Sequence, residues 1–130
     1  CWKENDIHYH KIYMGYLEAF KAIESTFAEA IVVSDGGKIN QNGTFIFYNG
    51  SKPENKVIDV LSFTVAIAAN TYTQENGAMK KVDEMRELGL NSVFDIDFKG
   101  SKGVSFENSS LYIVALEFTI KINLKDNHEI

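Results

Sequence analysis

Cysteine is nearly absent: Cys1 stands alone at the start of a 130-residue chain, so no disulfide can form within it. The fold must rest on an apolar core, for which 45% hydrophobic residues are enough. Proline occurs once, at Pro53. No apolar run is long enough to cross a bilayer; the most apolar stretch, from Val57 to Ala69, is too short and contains Asp59, Ser62 and Thr64. An excess of positive charge is also missing. Thirteen Lys and Arg stand against 18 Asp and Glu, a formal charge of -5, which argues against broad nucleic-acid binding driven by phosphate neutralisation. No repeat, low-complexity tract or linker divides the chain, so residues 1–130 are expected to form one domain.

The motifs of common chemistry are absent too. There is no G-x-G-x-x-G, no P-loop and no G-x-S-x-G. Gly36-Gly37 has no following helix to receive a phosphate. Cys1 lacks recognisable catalytic surroundings. His8 and His10 alternate as two ligands on a strand would, but a zinc site needs three or four, and no spacing recruits His128 or an acidic residue. Asp95 and Asp97 share one side of an alternating segment and could hold a divalent ion or move a proton. Charges belong on that side for solubility in any case. Asp35 before two glycines reads as turn chemistry. No catalytic, cofactor or metal site is therefore expected, and a non-enzymatic role is favoured over an enzyme assembled from scattered residues.

What the sequence has is periodicity. After a polar, aromatic arm at 1–11, Ile12, Tyr16, Phe20, Ile23 and Phe27 recur at steps of three and four, with Tyr13 and Leu17 widening the stripe and Glu18, Lys21 and Glu24 on the wet side. A short apolar run, 30–33, ends at Ser34-Asp35-Gly36-Gly37. Thr44 to Tyr48 predicts a short strand covered on both sides, followed by a loop at 49–53. From 57 to 70, Leu61, Phe63, Val65 and Ile67 alternate with Ser62, Thr64, Ala66 and Ala68, a half-buried strand with one small, mildly polar face. Ala78, Val82, Met85 and Leu88, flanked by Met79, space as a helix, and Gly89 is expected as its left-handed cap. Residues 93–98 alternate again before a turn at 100–103 leading to Val104 and Phe106. The last strand is the clearest: Tyr112, Val114, Leu116, Phe118, Ile120 and Ile122 form one face, and Glu117, Thr119, Lys121 and Asn123 the other. Residues 125–130 are expected to fray. Burying all these faces together predicts an α+β fold, an antiparallel or mixed sheet with both helices on one side. Its core is expected at 12–124.

Two segments carry a family resemblance. TFIFYNGSKPENKVIDVLSFTVAIAANTYTQENGAMKKVDEMRELGL, from Thr44 to Leu90, resembles the middle of the Mu-like tail-terminator proteins of tailed phages. GVSFENSSLYIVALEFTIKINL is similar to their closing unit, and the helix at 12–27 has a counterpart. The likeness covers about Ile12 to Leu124 and rests on element order and hydrophobic pattern; the arm with His8 and His10 is not part of it. It implies a ring, commonly a hexamer, that caps the tail tube and offers a surface to the head-completion or connector protein. The implied place is the virion tail, assembled in the bacterial host cytoplasm, with no cofactor and no membrane. The small-residue face at Ser62 to Ala68 and the Asp95/Asp97 segment are compatible with such contacts. Two other readings stand beside it. One is a small α+β ligand-binding domain. The other is a bacterial lipoprotein anchored through Cys1, although Trp2 and Lys3 are not the small residues usual beside a lipidated cysteine, so an ordinary boundary is expected there.

Overall fold

Two long strands set the frame. β3 (Ile58–Ala69) and β5 (Tyr112–Asn123) pair antiparallel along their whole length, from Ile58 opposite Asn123 to Ala69 opposite Tyr112. Period-two alternation sends Leu61, Phe63, Val65 and Ile67 to the same face as Val114, Leu116, Phe118, Ile120 and Ile122, and every one of these is buried. The computed structural model describes residues 14–34, 38–105 and 109–124. The arm at 1–11, Ile12 and Tyr13, the Asp35-Gly36-Gly37 turn, Phe106 and the tail at 125–130 lie outside them.

Around this pair the sheet grows to five strands in the order β1-β2-β3-β5-β4. β2 (Gly43–Pro53) pairs antiparallel with β3, and β4 (Ile96–Val104) antiparallel with β5. The short β1 (Ile31–Val33) pairs parallel with β2 at one edge. α1 (Tyr16–Thr26) and α2 (Ala78–Leu90) pack on one face only, where Ala19, Ala22, Ile23, Ala78 and Met85 join the strand residues in the main core. β3 and β4 run the same way with β5 between them, so α2 is a crossover. The fold is α+β with a mixed sheet and both helices on one side.

The helices begin at glycines. Gly15 opens α1, and its backbone N–H donates to the Glu18 carboxylate at 3.1 Å, which supplies an acceptor for an otherwise unpaired donor. Gly77 opens α2 inside a closed loop in which Gly77, Ala78 and Met79 donate to the carbonyls of Gln74, Thr71 and Tyr72. A Cβ on Gly77 would lie 2.9 Å from three oxygens, so the tight loop needs glycine there.

Across the helix-facing side runs one row of aromatic residues. Tyr48, Phe63, Phe118 and Phe98 are successive partners on β2, β3, β5 and β4. Phe63 stacks on Phe118 at 5.5 Å, Phe98 meets Phe118 edge-on at 5.4 Å, and Phe27 at the end of α1 caps both central rings. Arg86 of α2 covers Phe98 at 4.3 Å. Each buried ring contributes about 1.5–3 kcal/mol by area alone.

Several expectations are corrected. Gly89 does not cap α2: the helix runs on to Leu90 and ends at Asn91, whose φ is -91°. Gly89 is instead the point where α2 touches the sheet, and a Cβ there would lie 2.8 Å from the Phe118 ring. β2 is twice the expected element, because the segment 49–53 read as a loop is strand carried through a bulge after Tyr48. The turn expected at 100–103 is also strand, carried through a bulge after Phe98. Phe45 and Ile46 are buried on opposite faces as expected of a strand covered on both sides, but Tyr48 is 44% exposed. Leu17, Leu88 and Met79, assigned to buried stripes, are exposed, because the helices turn Ala19, Ala22, Met85 and Gly89 inward.

Gly89→Ala is expected to lower stability by about 1–3 kcal/mol in urea unfolding, since Phe118 is locked between rings and cannot yield. Helix propensity alone predicts the opposite sign, a gain of about 1 kcal/mol, so a stabilised variant would refute the close approach. Gly50→Ala, with open space at its Cβ but φ +104°, should cost about 1–3 kcal/mol through backbone strain.

Candidate functional site

The face of the sheet away from the helices is only partly covered. Ile39, from the connection between β1 and β2, is buried there against Phe45, Ala66, Ala68 and Ile113, making a second, smaller core. Beside it lies an open groove of about 420 Å³. Thr64 and Ala66 of β3 and Ala115 and Glu117 of β5 form its floor, as paired residues of the two central strands. Phe47 and Asn49 come from β2, Lys102 and Val104 from β4. Small residues at 64, 66 and 115 make the depression, and larger ones on the flanking strands make its walls.

A directed chain of hydrogen bonds crosses the floor. The Asn49 carboxamide donates to the Thr64 hydroxyl at 2.6 Å, and that hydroxyl donates to the Glu117 carboxylate at 3.3 Å. Thr64 is 9% exposed and Glu117 half-buried. Among the described residues, neither Glu117 nor Lys102 makes an ion pair. The groove therefore carries one negative group on its floor and one positive group on its wall, neither in an ion pair within those residues, beside the small apolar side chains of Ala66 and Ala115.

Of the candidates read from the sequence, only the small-residue face enters this site. Thr64 and Ala66 line it; Ser62 and Ala68 share the face on either side. Asp95 and Asp97 are exposed at the β4 edge, Asp95 ahead of the strand and Asp97 opposite Thr119. Among the described residues no three of His, Cys, Asp and Glu gather as a metal-binding group. Cys1, His8, His10, Asp35 and His128 lie outside the described residues. No helix among the described residues is long and apolar enough to cross a membrane. Sequence reasoning missed Asn49 and Lys102, which it placed in turns. Their signal was a glycine in the same short segment, Asn49-Gly50 and Lys99-Gly100, interrupting otherwise strand-like sequence.

Two polar clusters tie the helices to the rest. Lys81 of α2 bridges Glu29 and Glu84, each at 3.0 Å, and Glu29 also accepts from the Thr44 hydroxyl. Tyr16 of α1 donates to Asp59 and lies 2.9 Å from the Ser51 hydroxyl. Glu29, then Glu84, hold the Lys81 ammonium above its ordinary pKa of 10.5. The hydrogen bond to Asp59 raises the Tyr16 phenol above 10.0. In both cases the fold favours the protonated form. That stabilisation is complete below the ordinary pKa and is lost as pH rises through the folded one. Lys81→Met should cost less than about 1 kcal/mol near pH 8, because the pair is part-exposed. The gap in urea midpoint between wild type and Lys81→Met, or Tyr16→Phe, should then close as pH is raised beyond 10.5. A gap that stays constant into that range would contradict these assignments.

No protein-family model and no curated protein matches the chain.

Proposed function

We propose that this protein is a self-associating structural subunit of a phage or prophage tail, a terminator that forms a ring, caps the tail tube and takes part in head–tail joining. The observation that carries the reading is the distribution of exposed apolar side chains. Ile31 and Val32 are 58% and 40% exposed on β1, at one edge of the sheet. Leu90, the last residue of α2, and Val93, in the connection to the opposite edge strand β4, are 69% and 89% exposed. Exposed apolar side chains on two different elements, β1 and the end of α2 with its connection to β4, suit a head-to-tail contact, and head-to-tail contacts that close make rings. The element order, with a leading helix, three strands, a crossover helix and two strands, fits the resemblance at 44–90 and 103–124. In this reading the protein works by its surfaces, so no reaction, cofactor or metal is assigned to it.

Light scattering on the full chain, with negative-stain imaging, tests the proposal. The expected result is a closed ring, formed either free in solution or on addition of polymerised tail tube. Leu90→Asp combined with Val93→Asp should return the protein to monomer and abolish tube capping, with the urea midpoint unchanged because neither side chain is buried. A chain that stays monomeric with and without tubes sinks the reading.

A further inference from the structure

The groove on the open face owes its charged wall to a specific backbone feature. Phe98 faces the helices. Unbroken alternation would send residues 100, 102 and 104 to the same side. The bulge inserts Lys99 as an extra residue, so that Lys102 pairs with Ala115 and Val104 with Ile113, and both turn to the open face. A matching bulge in β2 makes Asn49 the extra residue, next to Thr64. Both bulges follow the same row of the sheet, and their glycines, Gly50 and Gly100, have φ of +104° and +134° with nothing within 4 Å of a Cβ. Backbone conformation, and not crowding, requires glycine at both. Bulges of this kind re-aim side chains beside binding sites.

We propose that the groove binds a small zwitterion with an apolar body, its ammonium group on Glu117 and its carboxylate on Lys102. Thr64 donates to Oε2 of Glu117, and Asn49 donates to Thr64 in turn, which assigns Oε1 as the acceptor for the ligand's ammonium. Glu117 pairs with Gly100 and Lys102 with Ala115, which makes the two charges diagonal neighbours, about 7–8 Å apart at Cα. Phe47, Ala66, Ala115 and Val104 supply the apolar contact, and the volume lies in the range of small-molecule sites. A wholly apolar ligand would cover the Glu117 carboxylate without replacing its water, which is costly. A cation alone would leave Lys102 unused. This inference does not rest on the ring reading: assembly and ligand binding are measured separately.

Four probes sharing one ring separate the contributions: 4-(aminomethyl)benzoate, benzylamine, benzoate and benzyl alcohol, each titrated into the isotope-labelled full chain and followed by amide resonances. The zwitterion should shift Thr64, Ala66, Ala115 and Glu117 and bind at least about tenfold more tightly than either single-charge probe, as expected for one additional charge-assisted contact. Glu117→Gln should reduce it to the level of benzoate, and Lys102→Met to that of benzylamine. Lys102 is exposed, so its variant stays informative even where Glu117→Gln folds poorly. Equal binding of all four probes, equal binding of benzylamine and the zwitterion, or shifts confined to other surfaces would overturn the proposal.

Discussion

Phe118 is the residue on which the rest of the structure depends. It sits in the central pair of strands, 1% exposed, with Phe63 stacked on one side, Phe98 edge-on at the other and Phe27 above. Four elements meet on that ring: β3, β4, the end of α1 and, through Gly89, α2. With a single cysteine in these 130 residues and so no disulfide within them, this contact does what a covalent staple does in some small folds. It also explains why α2 lacks a methyl group where one is expected to help. Intrinsic helix preference at position 89 is overruled by the need to bring the helix axis down onto an immobile aromatic ring.

The same row fixes the phase of the outer strands. Tyr48 and Phe98 stand at the two ends of the aromatic row, and each is followed directly by a bulge. Before the bulge, β4 gives Ile96 and Phe98 to the helix side; after it, the strand gives Lys102 and Val104 to the open side. In β2 the residues beyond the bulge place Ser51 opposite Leu61, within reach of Tyr16 on the helix side. A bulge costs one unpaired residue in the ladder and adds twist. Here it lets one strand serve the main core with its first half and the groove with its second.

That division marks what could be read from the sequence. β3 and β5 were legible because their alternation is unbroken: Leu61 to Ile67 and Val114 to Ile122 point where period two sends them. The α+β class and the one-sided helices followed from those faces. β2 and β4 were cut short because Asn49-Gly50 and Lys99-Gly100 carry the composition of a turn, and a bulge uses the same glycine with positive φ for the same reason. Gly89 shows a similar ambiguity: a glycine near a helix end signals a left-handed cap or a close approach, and only tertiary contact separates them. Half of the groove was visible as the small residues at 64 and 66. The charged half was not, because the face that Lys102 occupies depends on a register shift three residues earlier, and Glu117 looks like any wet-side residue until its strand neighbours are known.

The edges of the sheet constrain how copies of this chain can meet. β4 carries Asp97, Lys99 and Lys102 and a bulge along its outer side, all features that discourage another strand from pairing there. β1 is apolar and exposed but only three residues long, which offers little backbone for augmentation. Continuous sheet across a subunit boundary is therefore disfavoured at both edges. In the proposed ring, a head-to-tail contact would therefore be made by side chains, with Ile31 and Val32 of one copy against Leu90 and Val93 of the next. Ile31 shares the open face with Phe45, so such a contact would meet that face at its β1 edge. Side-chain docking is also easier to confine to one geometry than strand addition, which has no natural end. For the terminator role proposed above, in which a subunit stops growth rather than propagating it, that restriction would be an advantage, and the blunted β4 edge is the feature of the fold that would supply it.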